Sequence, residues 1–315
     1  MRKFMTFTVL GLACLLVPAI AQAQDVYGVA IFAPCLDFKD GAARNDYISK
    51  VADYFSKSTG LKWEGQAFAR ASDFEAARSK LDVVIVDAEY YANKLSSLTP
   101  IGELSGTSGP TRSMKVIAKR GGSDKLYNYK GKRLAIVSNT PLAKNFFESN
   151  VLGSEATLSS YFASVDEVRD VRAALNAVEL GKADLTLAFD GYDRGYTTIY
   201  TTSPVPLPVI AVSSSRLSGS QLESVKLAAR SINVSATSIV NASTSYSQSG
   251  VSSFKAAASG GSHHLPYVLV EPGSVQMRFS QTQLLERYEG FTIDSAATQY
   301  SPSLADFDQK LEQAL

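Results

Sequence analysis

The sequence predicts an α/β protein built as two similar units, each a mostly parallel sheet flanked by helices. Three observations carry this. Short apolar runs alternate with helical patterns, as in successive β–α units. The run Leu81 to Val86 (LDVVIV) is continuously apolar, as a strand buried on both faces requires. The alternation then restarts after Met114 to Ala118 with a second set of the same elements.

In chain order, Val26 to Phe32 (VYGVAIF) reads as a buried strand ended by Ala33-Pro34-Cys35. Asp46 to Ser58 is an amphipathic helix: Ile48, Val51 and Phe55 fall at helical spacing, and Gly60 supplies the stop. Leu61 to Phe68 is a strand, Asp73 to Lys80 a short helix, and Leu81 to Val86 the third strand. Met114 to Ala118 and Lys132 to Val137 are strands. Pro141 opens a helix to about Asn150. Val168, Val171, Leu175 and Val178 mark a helix that stops at Gly181, and Ala183 to Phe189 is a strand. Ile199 and Val209 to Val212 are extended. Ser218 with Gln221 predicts a capping box ahead of a helix through Leu222, Val225, Ala229 and Ile232. Residues 242–262, rich in Ser, Ala and Gly, read as a surface loop or an irregular helix. Leu265 to Val270 reads as a strand and residues 303–314 as a terminal helix.

Two stretches share one grammar: FEAARSKLDVVIVD, Phe74 to Asp87, and LNAVELGKADLTLAFD, Leu175 to Asp190. Each is a helix end, a Lys, an Asp, an apolar strand and a second Asp. Ordinary αβ units produce such an echo by coincidence. If it is a true repeat, Asp87 and Asp190 end corresponding strands and face a shared cleft, since open α/β sheets bind ligands at the carboxyl ends of their strands.

The first segment, MRKFMTFTVLGLACLLVPAIAQAQ, has a basic start at Arg2 and Lys3, an apolar stretch and Ala21-Gln22-Ala23, the pattern of a removable secretory signal peptide. Cys14 sits inside the apolar run after a poor lipobox. Cleavage after Ala23 leaves 292 residues with 29 Lys+Arg against 30 Asp+Glu. A near-neutral chain has no global electrostatic reason to bind nucleic acid or an anionic membrane. Cys35 is then the one cysteine left, so no internal disulfide forms. The two histidines, His263 and His264, are adjacent and poorly placed to share a metal.

The signal-like start, the stretch LDVVIVDAEYYAN, the later YKGKRLAIVSN, and TTIYTTSPVPLPVIAVSSSRLSGSQLESVKLA from Thr197 to Ala228 together resemble the phosphate/phosphite/phosphonate-binding proteins of ABC transporters. The likeness runs from about Val26 to Ile232. It implies a type II periplasmic-binding-protein fold, transferrin-like, with two lobes joined by two hinge strands near Met114 to Ala118 and Pro208 to Val212. Lobe 1 is then 24–116 plus 208–315, and lobe 2 is 117–207. It implies a periplasmic monomer that takes no cofactor, closes on a small ligand and hands it to a permease. A ligand-sensing module feeding a signalling receptor is the alternative.

The resemblance also places site residues. Tyr91, or its neighbour Tyr90, falls where the family carries a tyrosine after an apolar strand; a phenol there stacks on a ligand and offers a hydroxyl. Ser138, Asn139 and Thr140 precede the helix opened by Pro141, where the family holds an oxyanion on hydroxyls and helix N–H groups. This chain departs from that pattern: Pro141-Leu142-Ala143-Lys144 stands in place of the Ser-Thr-Ser-Gly run. Asp190 corresponds to an acid that accepts from a protonated phosphonate or an amine, or else is the turn residue of Asp190-Gly191. Asp87 and Glu89 with Asp190 make an acidic cleft, favouring a cationic ligand, a rival to the oxyanion. Cys35 lies on the cleft rim. The sequence carries no G-x-S-x-G, P-loop, GxGxxG or HExxH, so an enzyme is not expected beyond a carboxylate pair, Asp87 with Asp190, acting as a hydrolase.

Overall fold

A computed structural model describes residues 25–259. The signal-like segment, His263, His264, the Leu265 to Val270 strand and the 303–314 helix lie outside the described residues.

The chain runs β1 (Val26–Phe32), α1 (Gly41–Thr59), β2 (Lys62–Ala67), α2 (Ala71–Ala77), β3 (Val83–Val86), α3 (Ala88–Asn93) and β4 (Thr99–Ser105). It continues with β5 (Thr111–Lys119), β6 (Arg133–Val137), α4 (Pro141–Asn150), α5 (Leu158–Tyr161), β7 (Ser164–Val168), α6 (Val171–Glu179), β8 (Leu185–Phe189) and β9 (Tyr196–Pro206). Last come β10 (Val209–Val212), α7 (Gly219–Ala229), β11 (Ala242–Thr244) and α8 (Gln248–Ala258).

The strands form two sheets. The first has the order β11-β4-β10-β3-β1-β2 and the second β7-β6-β8-β5-β9. Within the first, β2, β1 and β3 are parallel and β10 is antiparallel to both its neighbours. Within the second, β7, β6 and β8 are parallel while β5 and β9 run antiparallel. The apolar runs explain the centre of each sheet: β3 is buried along its whole length, as are β8 and β10.

The chain leaves the first sheet after Ser105, enters the second at Thr111, leaves it at Pro206 and re-enters the first at Val209. The Met114 to Ala118 segment is thus part of β5, which pairs along its length with β8 and β9 inside the second sheet. Gly106 begins the outward passage. A Cβ there would stand 2.1 Å from the Ile239 carbonyl oxygen, so only glycine lets these two backbones pass so closely.

Local signals account for the helix ends. Asp40 caps α1 by accepting from Ala43 N–H, so the helix begins before Asp46, and Gly60 ends it in the left-handed region at φ 71°. Thr140 caps α4 by accepting from Leu142 N–H, with Pro141 at the first position. The expected capping box at Ser218 is not formed. Ser218 occupies the N-cap of α7, but its side chain makes no capping bond. Val168 ends β7 rather than starting α6, whose cap is Asp170. The Ser/Ala/Gly-rich tract contains a regular helix, α8, that packs against α4 and β9 through Val251, Phe254 and Ala258.

Candidate functional site

The carboxyl ends of β1 and β3 in the first sheet, and of β6 and β8 in the second, surround a narrow cavity of about 50 Å³. This is the position at which open α/β sheets bind ligands. Its walls are Met114, Ile136, Val137, Phe146, Val171, Leu187, Phe189, Val205, Pro206 and Phe254, and one side is formed by Cys35, Asp87, Ala88 and Glu89. Asp87 and Glu89 are the charged groups among the described residues that line it. No lysine, arginine, serine or threonine does so.

Asp87 follows β3 and stands at the N-cap of α3, yet its side chain makes no capping bond. Instead Oδ2 accepts from Cys35 N–H at 2.9 Å. Oδ1 is buried without a hydrogen-bond partner among the described residues. Burial pushes the carboxyl up to about 6, against the opposing pull of the Cys35 hydrogen bonds and the Arg44 charge.

Glu89 lies two residues further on, in the first turn of α3. Its Oε1 accepts from Thr140 N–H at 2.8 Å and from the Thr140 hydroxyl at 2.6 Å. Asn139 N–H also bonds to the carboxylate, but burial and the Asp87 charge outweigh these bonds and push it up to about 7. The protein's own carboxylate thus sits at the N-terminus of α4, where a bound anion would otherwise find its donors.

This contact joins the two sheets, and others cross beside it. Val171 N–H donates to the Pro34 carbonyl at 2.9 Å. Arg172 holds Asp37 through both Nε and Nη2 at 2.8 Å. Arg44 on α1 reaches Asp170 at 3.7 Å. Tyr192 Oη accepts from Asp37 N–H at 3.1 Å and donates to Thr237. The cleft is closed by direct contacts between its two sides.

Of the residues expected at the site, Cys35, Asp87 and Glu89 line the cavity, while Thr140 and the Asn139 backbone stand behind it, bonded to Glu89. Burial, reinforced by Asp87 and Glu89, pushes the Cys35 thiol well up, which keeps it protonated and inert. Ser138 turns inward and donates to the Thr140 carbonyl. Tyr90 does not face the cavity: its ring packs on Phe32 and Phe74 and its hydroxyl donates to Glu75 at 2.6 Å. Tyr91 is buried edge-on against Tyr246, also away from the cavity lining. Asp190 is half exposed and paired with Lys115 at 2.9 Å, outside the cavity. Lys144 pairs with Glu167 on the surface. Sequence reasoning missed Phe146 and Phe254, the aromatic pair on the cavity wall with centroids 5.1 Å apart. It also missed the bridging arginines Arg44 and Arg172.

Two α/β lobes closing at the carboxyl ends of their strands define the two-lobed fold of periplasmic binding proteins. Solved structures support this at the level of fold. A binding-protein component of an ABC phosphonate transporter from Pseudomonas aeruginosa matches with a TM-score of 0.61 and 11% identity, covering 75% of this chain and 88% of that one. PhnD1 from Prochlorococcus marinus, in complex with methylphosphonate, matches at 0.59 and 10%, covering 74% and 97%. A Xanthomonas citri protein bound to ATP matches at 0.56 and 11%, covering 74% and 97%. No protein-family model and no curated protein sequence matches this chain. Among the described residues no helix is long and apolar enough to cross a membrane.

Proposed function

We propose that the protein is an exported solute-binding protein of an ABC transporter, a non-enzymatic receptor whose two lobes close on a small ligand and present it to a permease. The observation that carries this reading is the cavity itself. It lies between two sheets at their strand ends, is lined from both, and is faced by a buried carboxylate oxygen that has no partner among the described residues. The fold supports it, and the sequence of the first 24 residues, with its basic start and Ala21-Gln22-Ala23, supports export. The lobes divide at the two passages between sheets, near 106–110 and 207–208. Closing then adds the contacts from Thr140, Val171 and Arg172 to Glu89, Pro34 and Asp37, and a ligand that binds the closed form better shifts the open–closed equilibrium toward it.

The phosphonate named in two similar structures supports an oxyanion ligand. The lining argues the other way. Glu89 already occupies Thr140 at the head of α4, and among the described residues the cavity lining offers no hydroxyl, lysine or arginine. The test is a thermal-shift screen of a broad solute panel on the purified protein, followed by small-angle scattering with each stabilising solute. A ligand that binds the folded state raises the melting temperature by mass action. A panel that raises it for no solute counts against the receptor reading.

A further inference from the structure

Asp87 is built against its local environment. An aspartate at a helix N-cap ordinarily accepts from the first-turn N–H groups. This one leaves the α3 N-terminus without a side-chain cap and turns toward the cavity wall. It is 4% exposed, and its Oδ1 has no partner among the described residues. A buried, unpaired carboxylate oxygen is a cost that folded proteins seldom carry unless something supplies the missing partner. The neighbouring groups do not supply it. Cys35 N–H serves Oδ2, the Cys35 thiol is a weak donor that bonds the carboxylate without satisfying Oδ1, Glu89 is itself an acid, and Thr140 is engaged by Glu89. Arg44 contributes charge from a distance, but its guanidinium is held at Asp170 and lies over the Phe38 ring. The rest of the wall is apolar.

We infer that this cavity, if it is the solute site proposed above, takes a small organic cation, an alkylammonium group seated on Asp87 with its short carbon chain against Phe146, Phe254 and Val205. The ammonium donates to Oδ1 and neutralises the buried charge. The apolar wall takes a chain that has no polar group to satisfy. The volume of about 50 Å³ admits only a few non-hydrogen atoms, so the ligand is of the size of a three- or four-carbon amine rather than a nucleotide. An oxyanion in the same place faces two carboxylates and no positive partner on the lining, and like charges brought together across such a site are strongly unfavourable.

The experiment is calorimetry and thermal shift on the purified protein at pH 8, with propylammonium chloride and methylphosphonate as probes and sodium chloride as the salt control. Wild type binds propylammonium and not methylphosphonate. Asp87→Asn keeps an acceptor for Cys35 N–H but loses the charge, and weakens propylammonium binding by at least about thirtyfold, the scale for truncating one partner of a buried charge pair. Asp190→Asn, which touches only the surface pair with Lys115, binds propylammonium as wild type does. Binding of methylphosphonate and not propylammonium overturns the cation assignment and leaves the receptor reading standing. Propylammonium binding that is equal in wild type and Asp87→Asn places the ion elsewhere and also overturns it. If neither probe nor any member of the broad panel binds, the receptor reading falls together with this one.

Discussion

Replacing Asp87 by asparagine should flatten the dependence of stability on pH. In the folded protein burial raises the Asp87 carboxyl from 3.8 to about 6. A carboxyl raised in this way binds its proton more tightly in the folded than in the unfolded chain. Its support of the fold is complete below about pH 4 and is lost as pH rises through about 6. A shift of about two units at about 1.4 kcal/mol each gives roughly 3 kcal/mol, an order-of-magnitude figure for one fully buried group. Asparagine does not titrate, so Asp87→Asn removes this loss. Glu89 and Glu103, each raised to about 7 by burial, titrate in both proteins. Glu103 cancels in the comparison, and Glu89 shifts slightly downward when the Asp87 charge is gone. The assay is urea unfolding followed by circular dichroism from pH 4 to pH 8. Wild type should lose about 3 kcal/mol more than the variant between those limits. Parallel curves for the two proteins would refute the claim that Asp87 is a buried, poorly compensated carboxylate.

Further outcomes follow from the same contacts. Glu89→Ala leaves Thr140 N–H and its hydroxyl without their acceptor and removes a link between the closed lobes, so the variant compacts less than wild type when a solute binds; equal compaction would count against the link. Phe146→Ala strips a side chain that is 1% exposed and packed with its ring tilted against Phe254, costing about 3–5 kcal/mol in urea unfolding, the range for a buried phenylalanine; a cost below about 1 kcal/mol would mean the wall is not packed. Arg172→Ala breaks a half-exposed ion pair with Asp37 and should cost less than about 1 kcal/mol, with the loss shrinking as salt is added.

Much of the architecture was legible because periodicity and punctuation agreed. β1, β3, α4 and β8 lie within a residue or two of their apolar runs, and Gly60 and Pro141 stop and start helices where their backbone preferences demand. What escaped had weaker signals. α3 is six residues of AEYYAN, too short to show a helical period. β7 (SVDEV) lacks a fully buried residue and so lacks an apolar run. α8 was masked by its Ser and Ala content, although Val251, Phe254 and Ala258 are spaced to share one buried face. The capping box that does form joins Thr157 and Ser160, outside the usual Glu/Gln signature. At the site, Asp87 and Cys35 were legible as residues at the carboxyl ends of strands. Tyr90 and Tyr91 were not separable from core aromatics, since both rings are satisfied by packing that only the folded chain creates. The Glu89–Thr140 bond spans 51 positions of sequence, and no local pattern encodes it.

The central claim is that two lobes close on a small solute between the ends of their strands. Small-angle scattering of the purified protein, with and without the solute that most raises its melting temperature, tests it directly. The account predicts a smaller radius of gyration with the solute present, and less of that change in Glu89→Ala. A tightly bound solute that leaves the radius unchanged would contradict it.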